Sequence, residues 1–477
     1  MMQYAAIEQR PTEDADRIAR TLCAMVALLA AVAASAGMAL LAPAPALAES
    51  VTLAPAEARQ LALQALQIHD ASTAQRMARA ALLARPDDIE ARLILSAALT
   101  TGGEARLGED EARRALADAT SPEDRHRAER AVAAALTAQG AHTRAQVWLR
   151  RAAQSAPDAR ARAATVRSYR AVRRANPWHG ELRLGVAPSS NINNGSAQDR
   201  MRIGGLDFDL SGSAQALSGL ETTFGGGVDW QTVLGQRTRL TLGADAVSQR
   251  YRLSGEARDQ APGAENSDYA RDTVEFSAAL RFVAAPDAPP WDAELTLGHS
   301  WYGGEDIARY GELELTRGLR LGADTLGWVE VWGRVAERLD NDLRSSEASG
   351  VSFRLAHRID GGALLSFGIG LSDTRSDSAL VAHDAATLSL GYRLAQPVLG
   401  AQAELSAQLG RADYDGPVYG MLREDRSMGI GASLFFRDHD LYGFAPVLDL
   451  SARRTESSVD LYDTRDLGLS VSLRSTF

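Results

Sequence analysis

The sequence contains no lysine, a single cysteine and, beyond its N-terminal region, no long apolar run. All 51 basic residues are arginine, which we attribute to codon bias rather than to chemistry. The one thiol, Cys23, lies in the N-terminal apolar segment. A chain that loses this segment has no disulfide and no cysteine-based metal site. The lack of a second apolar run argues against a transmembrane helix in the rest of the chain.

The charge of the chain is unevenly distributed. The formal net charge of -10 argues against a nucleic-acid partner for the whole chain. Residues 49–177 carry 20 Arg against 15 acidic residues, whereas residues 178–477 carry 28 Arg against 42 acidic residues. This asymmetry predicts two physically different halves.

Residues 1–48 have the organisation of a secretory signal peptide. A polar stretch with arginines precedes an Ala- and Leu-rich segment at 22–41. The small residues Ala46 and Ala48 suit cleavage before Glu49. An uncleaved anchor helix is the alternative.

Residues 49–177 are rich in Ala, Leu, Arg and Glu at helical spacing. Three prolines recur at intervals of 36 and 35 residues, close to the period of tetratricopeptide repeats, and glycines mark turns between them. The prolines and glycines are Pro86, Pro122, Pro157, Gly102, Gly103 and Gly140. The pattern predicts about three tetratricopeptide-like repeats and a final helix, with a concave face for a partner protein. Any two-helix array with short loops is the alternative.

From residue 178 the pattern changes to alternation with a period of two, which is typical of half-buried strands. It predicts a 14-stranded antiparallel transmembrane β-barrel over residues 178–477. The predicted strands lie near 181–188, 218–232, 237–253, 269–284, 291–302, 308–321, 325–340, 346–360, 363–374, 384–394, 400–413, 425–437, 443–455 and 465–477.

The predicted connections are short after even-numbered strands and mostly longer after odd-numbered strands. The longer ones are 189–217, 254–268, 414–424 and 456–464. This asymmetry, with an even number of strands, is typical of barrels in the outer membrane of Gram-negative bacteria. An even number also places both barrel ends on one side, which predicts a periplasmic helical domain. A large soluble antiparallel protein is the alternative.

The final stretch alternates strictly up to Phe477. A terminal Phe that closes an alternating strand resembles the signal by which outer-membrane barrels are recognised for insertion. We predict that Leu469, Val471, Leu473 and Phe477 form this barrel-assembly signal. The strand is expected to pair with the first strand at Leu182–Val186. An edge strand of a soluble sandwich is the alternative.

No pattern in the sequence predicts catalysis, a cofactor or a metal site. The eight histidines are scattered without metal-ligand spacing on a helix. Outer-membrane phospholipases use Ser and His on barrel strands, and His299-Ser300 invites that comparison, but a position in the barrel wall is favoured. We therefore expect no catalytic, cofactor-binding or metal-binding residues, and a protein that is not an enzyme.

The motif Ser190-Asn191-Ile192-Asn193 follows the first predicted strand, where Asn side chains favour tight turns. Its position after a repeat-helix domain and before fourteen strands resembles the start of the barrel in the surface lipoprotein assembly modifier (Slam) family. Ser189 stands where the family more commonly has an acidic residue. The resemblance implies an outer-membrane translocon that delivers surface lipoproteins or related secreted proteins, including haemophore-like ones.

The resemblance also implies partners: the client, periplasmic chaperones, the barrel assembly machinery and outer-membrane lipid. The repeat domain would engage the client, and the edges of the first and last strands would offer a template by strand addition. The competing interpretation is an exopolysaccharide-export or porin-like channel with a periplasmic repeat domain. A lumen rich in acidic residues would suit a cationic polymer.

Overall fold

The computed structural model describes residues 53–477, so the predicted signal peptide, with Ala46, Ala48 and Glu49, lies outside the described residues. Residues 55–477 form one compact unit in which helices precede strands. Within the described part, no helix is both long and apolar enough to cross a membrane.

Seven helices occupy residues 55–175. They are α1 (Pro55–Gln67), α2 (Ala71–Ala84), α3 (Ile89–Thr101), α4 (Ala105–Asp118), α5 (Pro122–Ala138), α6 (His142–Gln154) and α7 (Ala159–Ala175). Each helix packs on the next, and α3 also packs on both α1 and α5. Small buried alanines such as Ala62, Ala78 and Ala133 allow this close packing.

The helix ends lie where the prolines and glycines predict them. Pro122 is the first residue of α5, and the Ser121 side chain accepts a hydrogen bond from the Asp124 amide. Asp88 and Asp158 cap α3 and α7 in the same way. The sequence predicts three helix pairs and a final helix, and the structure confirms this number and order of helices. That the pairs are tetratricopeptide repeats stays a prediction.

Fourteen strands form a closed antiparallel barrel in which each strand pairs with its neighbours along the chain and the last pairs with the first. The barrel strands are β1 (Trp178–Ser189), β4 (Gly219–Gly235), β5 (Thr238–Leu253), β6 (Arg271–Phe282), β7 (Trp291–Tyr302), β8 (Glu305–Arg320), β9 (Thr325–Arg338), β10 (Ser346–Arg358), β11 (Leu364–Ser376), β12 (His383–Arg393), β13 (Gln402–Val418), β14 (Met421–Phe435), β15 (Phe444–Ser457) and β16 (Thr464–Ser475). The predicted architecture of helices followed by a 14-stranded barrel is confirmed.

The outward face of the barrel is apolar. Alternate residues along the strands present large, exposed hydrophobic side chains, as in Leu365, Ile369 and Leu371 on β11. Partner residues on adjacent strands, such as Val351 opposite Leu371, face the same side. An alternating wall of this kind presents one face to lipid and leaves the other for the lumen.

We call the end of the barrel at which β1 begins the helix end, and the opposite end the loop end. Two loop-end connections are long, at 190–218 and 254–270; the first contains the short hairpin β2 (Arg200–Ile203) and β3 (Leu206–Asp209), and the second contains α8 (Gly255–Gln260). The alternation pattern of the sequence does not predict that hairpin. Helix-end connections reach eight residues at 283–290, 394–401 and 436–443, so the predicted length asymmetry holds only in part.

One predicted loop, 414–424, is wrong. Strands β13 and β14 continue through it and meet at a two-residue turn, Tyr419-Gly420. Both turn residues have positive φ, 53° and 82°, which is the backbone of a tight hairpin turn. The polar composition of the segment therefore reflects strand ends beyond the apolar band rather than irregular structure.

Candidate functional site

The contact between the first and last strands is the least complete in the barrel. Strand β1 has twelve partner residues on β4, from Trp178 to Ser189. On its other side it has three partner pairs with β16, and the first of these is Gly185 with Ser472. Residues 178–184 therefore pair with β4 alone. We call this stretch the free edge of β1, and the line between β1 and β16 the seam.

This pairing corrects the expectation that β16 pairs with Leu182–Val186. Pairing begins at Gly185, and Leu182 lies on the free edge, with 69% of its surface exposed. The end of β16 is held elsewhere: the Thr476 amide donates to the Gly443 carbonyl, and the Phe477 ring packs on Tyr169 of α7. These contacts draw the chain after Ser475 towards the helices rather than along β1.

The motif residues 190–193 hold the loop end of the same seam. The Ser190 hydroxyl accepts a hydrogen bond from the Leu467 amide of β16 at 2.8 Å. Its oxygen also lies 3.3 Å from the Asp466 carboxylate, to which it donates. Ser190 therefore connects β1 to β16 at the loop end, beyond the last paired residue of β1.

The two motif asparagines shape the loop that follows. Asn191 accepts from the Gly195 amide and donates to the Gly195 carbonyl, at 2.8 and 3.0 Å. Asn193 accepts from the Leu217 amide at 2.8 Å and donates to the carbonyls of Gln215 and Ser213. Ile192 packs against a buried cluster that includes Leu217. The motif is thus a structural clamp at the loop end of the seam.

The loop that contains β2 and β3 extends this clamp across neighbouring strands. The Ser196 hydroxyl donates to the Asp460 carbonyl, and the Ala197 amide donates to the Asp463 carbonyl. Met201 is buried against Val418 and Val459. The seam is therefore fixed by many contacts at the loop end and by few at the helix end.

At the helix end, α6 and α7 dock on the barrel through Arg150. Its guanidinium donates to the carbonyls of Tyr442 and Gly443 at 3.2 and 3.0 Å, and to the hydroxyls of Tyr169 and Ser475 at 2.9 Å each. It also lies over three aromatic rings, 4.3 to 4.9 Å from their centroids. These rings belong to Tyr169, Phe444 and Phe477. We call Arg150, Tyr169, Phe444 and Phe477 the junction cluster.

Two further contacts fix the turn between β14 and β15 to the helices. Arg162 of α7 forms an ion pair with Asp440 at 2.5 Å, and Gln154 of α6 accepts from the Tyr442 amide at 2.9 Å. Gly443 in this turn has φ +75°, and a Cβ there would lie 2.6 Å from Arg150 and from the Phe477 ring. Glycine is needed at this position because both the backbone and the space require it.

The predicted barrel-assembly residues divide between two environments. Leu469, Val471 and Leu473 are exposed on the outward face of β16, which is the lipid-facing side. Phe477 does not continue that row, because it follows the end of β16 and packs against the buried core of the helices. Its ring lies 5.2 Å from that of Tyr169, in an edge-on arrangement.

The lumen is polar and its charge is unequally placed. On β4 to β9, partner residues facing inward include many acidic side chains: Glu221, Asp229, Asp245, Glu275, Glu294, Glu312, Glu314 and Glu330. Several of these pair with arginines, as Glu330 does with Arg354. Glu294 and Glu314 lie directly opposite one another and have no arginine or histidine within ion-pair distance in the described chain. On β10 to β16 serine and glycine are the commonest inward residues.

His299 and Ser300, which invite comparison with the Ser and His of outer-membrane phospholipases, do not form a site together. They are consecutive residues of β7, so their side chains point to opposite faces. His299 lies 2.6 Å from the Asp306 carboxylate, whereas the Ser300 hydroxyl is within reach of the Ala308 carbonyl. In residues 53–477 no group of His, Cys, Asp and Glu has the arrangement of a metal site.

A closed, even-stranded barrel with an apolar exterior defines the class of outer-membrane β-barrels. Within that class, residues 337–477 match the family model described as surface lipoprotein assembly modifier. The resemblance drawn from the Ser190–Asn193 motif is therefore confirmed by an independent part of the chain. The fold and this match together support an outer-membrane location.

Three solved structures show what the chain is similar to. An outer-membrane channel from Pseudomonas putida F1 is 14% identical, with a TM-score of 0.31, over 62% of this chain and 96% of that chain. A BenF-like porin from Pseudomonas fluorescens Pf-5 is 9% identical, with a TM-score of 0.36, over 62% and 98%. A bacterial polysaccharide outer-membrane secretin is 9% identical, with a TM-score of 0.31, over 62% and 98%. No curated protein matches the chain.

Proposed function

We propose that this protein is an outer-membrane translocon that delivers surface lipoproteins or related secreted client proteins to the cell surface. The observation that carries the proposal is the match of residues 337–477 to the surface lipoprotein assembly modifier family. The helical region lies in the periplasm in this proposal, where it receives the client from periplasmic chaperones. The barrel assembly machinery inserts the barrel, and no catalytic chemistry is involved.

We further propose that the client leaves along the seam. The free edge of β1 presents backbone groups that pair with no residue of β16, and an incoming strand can pair with such an edge. The clamp formed by Ser190 and the Asn193 loop keeps the loop end of the seam closed during this step. The helices dock at the helix end of the barrel, next to the end of β16, through the junction cluster.

Deletion of the gene followed by protease shaving of intact cells tests the proposed function. We expect loss of one or a few surface proteins from the shaved fraction, restored by the wild-type gene. An unchanged surface proteome would contradict the proposal. If surface polysaccharide disappears instead, the protein belongs with polymer exporters, for which the acidic lumen would be the relevant feature.

A further inference from the structure

A basic cavity lies between α7 and the helix end of the barrel. Its volume is about 860 Å³. Four arginines line it, three from α7 and one from β5: Arg170, Arg173, Arg174 and Arg239. The three on α7 are spaced at i, i+3 and i+4 and therefore share one face of the helix.

The cationic groups in this cavity are not neutralised by the protein. None of the four arginines forms an ion pair with another described residue, and no Asp or Glu is among the lining residues. By contrast, Arg150 of α6 and Arg162 of α7 are engaged in the junction. Four uncompensated guanidinium groups around one cavity create a local field that favours an anionic occupant.

Two polar atoms in the same cavity also have no partner. His179 Nδ1 and Thr476 Oγ1 are buried from solvent and form no hydrogen bond to any described residue. Both residues line the cavity, together with Gln231. A buried polar atom without a partner costs free energy unless a ligand or water satisfies it. Both atoms are enclosed in the wall of the cavity, so the arginines are the groups that the cavity offers to a ligand.

Most of the strand residues that line the cavity face the lumen, with Thr232 as the exception. Gln231 and Arg239 lie an even number of residues from Asp229 and Asp245 on β4 and β5, so they face the lumen as those acids do. His179 faces the lumen in the same way as Glu181, two residues further along β1. The neighbouring Trp178 faces outward, and 51% of its surface is exposed. This placement favours a polypeptide entering the barrel mouth over a phospholipid headgroup, which would approach from the lipid-facing side.

We infer that this cavity binds an acidic segment of the client polypeptide and places it beside the free edge of β1. The inference rests on the proposed function, and it adds the chemistry by which the client is recognised. The arginines hold carboxylates, and the lining residues His179 and Thr476 place the cavity at the start of β1 and just after the end of β16. Glu181 and Asp229 are the next lumen-facing residues after His179 and Gln231. Their negative charges repel an acidic segment, so they disfavour its passage up the lumen and keep it at the seam.

The test uses the purified full chain and a fluorescein-labelled deca-glutamate peptide. We expect binding that weakens with salt, and that falls about tenfold in R173Q/R174Q, since two carboxylate contacts are lost. The matched control is R160Q/R167Q, which removes two exposed arginines of α7 that do not line the cavity. It should bind within about twofold of wild type. Circular dichroism at 222 nm should be the same for all three proteins.

Equal losses in the two variants, or none in either, would overturn the inference, because the binding would then be a general effect of basic charge. A second experiment measures how much phosphatidylglycerol each variant retains in nanodiscs that contain this lipid. If R173Q/R174Q loses retained phosphatidylglycerol relative to the control but binds the peptide normally, the site is a lipid site and the peptide assignment is wrong.

Export of the client in cells separates this inference from the proposed function. A wild-type protein that exports a client, with R173Q/R174Q equally active, would overturn the cavity's role and leave the translocon intact. A wild-type protein that exports no client contradicts the translocon, while the peptide-binding result still decides what the cavity binds.

Discussion

Single side chains act in different ways at the two ends of the barrel near the seam. Ser190 and Asn193 act through hydrogen bonds to backbone groups of neighbouring segments. Arg150 acts through a planar guanidinium that reaches two carbonyls, two hydroxyls and three rings. A lysine cannot reproduce that set of contacts, because it carries a single ammonium group.

Substitution of Asn193 by Ala should loosen the loop after β1. The variant loses hydrogen bonds to Leu217, Gln215 and Ser213, at a cost of about 1–3 kcal/mol for the loop. Faster hydrogen exchange at the Leu217 amide would show this. The control is N194G, because the Asn194 side chain makes no hydrogen bond in the described chain and its φ of +51° suits glycine. Unchanged exchange in N193A would contradict the clamp.

Substitution of Arg150 by Ala should weaken the docking of α6 and α7 on the barrel. The loss of charged hydrogen bonds and ring contacts corresponds to about 2–4 kcal/mol. We expect faster proteolysis between α7 and β1, measured on the folded protein in detergent. Arg160→Ala is the control, since Arg160 is exposed and outside the junction. Equal protease resistance of both variants would argue against a docking role for Arg150.

Substitutions of Phe477 and Tyr169 distinguish the docking of the helices from the assembly of the barrel. Both contribute rings to the junction cluster, so either change to Ala should expose the junction to protease. Phe477→Ala also removes part of the predicted assembly signal, and it should lower the yield of folded, heat-modifiable barrel. Tyr169→Ala should leave that yield at the wild-type level. A normal yield in both variants would confine Phe477 to docking.

Among the helices, α4, α5 and α6 are joined by one buried carboxylate. Glu109 accepts from Gln139 at 2.8 Å, and it forms ion pairs with Arg113 and Arg144. Burial raises the pKa of Glu109, but the hydrogen bonds from Gln139 and Arg113 and the charges of both arginines lower it by more. Its pKa therefore lies below the ordinary value of 4.5. This carboxylate stabilises the helices only when it is ionised.

The resulting pH dependence has a definite sign. The contribution of Glu109 is fully present above pH 4.5, the ordinary pKa of the carboxyl, and it is lost as the pH falls through the lowered folded-state pKa. E109Q should cost about 1–3 kcal/mol at pH 7, and its difference from wild type should shrink below pH 4.5. Melting of the 222 nm signal measures this, with exposed Asp110→Asn as the control. A difference that persists at low pH would assign the effect to packing.

The elements themselves were predictable because local patterns specify them. Prolines, glycines and capping acids mark the helix ends, and period-two alternation is clear in several of the fourteen strands. The loop predicted at 414–424 is wrong because polar strand ends and loops have the same composition, and only the Tyr419-Gly420 pair signals the turn. The β2–β3 hairpin is short and lies within a polar loop, so its two strands give little periodic signal.

The site was predictable only in part. The motif at Ser190–Asn193 was found as a turn, but its bond to Leu467 joins positions 277 residues apart. The contact of Arg150 with Ser475 spans 325 residues. Nothing in the local sequence distinguishes this arginine from its neighbour Arg151. The four cavity arginines likewise have no local signature, because what sets them apart is the absence of acidic partners after folding.

For the molecule as a whole, the proposed exit route depends on the seam opening from the free edge of β1 into the pairs that begin at Gly185. A disulfide between V186C and V471C, which are partner residues of β1 and β16, should hold it closed. The background variant lacks Cys23, the one native cysteine. We expect client export to fall under oxidising conditions and to recover after reduction.

The control for the seam disulfide is L355C/F367C, which joins partner residues of β10 and β11 on the far side of the barrel. It should form a disulfide without affecting export. Export that continues at the wild-type rate through an oxidised V186C/V471C barrel would show that the client does not use the seam.

The length of the free edge sets how much of a client can be paired at one time. Residues 178–184 are seven residues, which extend for about 23 Å along the strand. An average strand has about five or six residues, so the edge accommodates one strand and has no room for a second. Along the proposed route, a client with several strands must therefore release each strand before the next one pairs. The seam would then determine the order in which client strands reach the surface, as well as their point of exit.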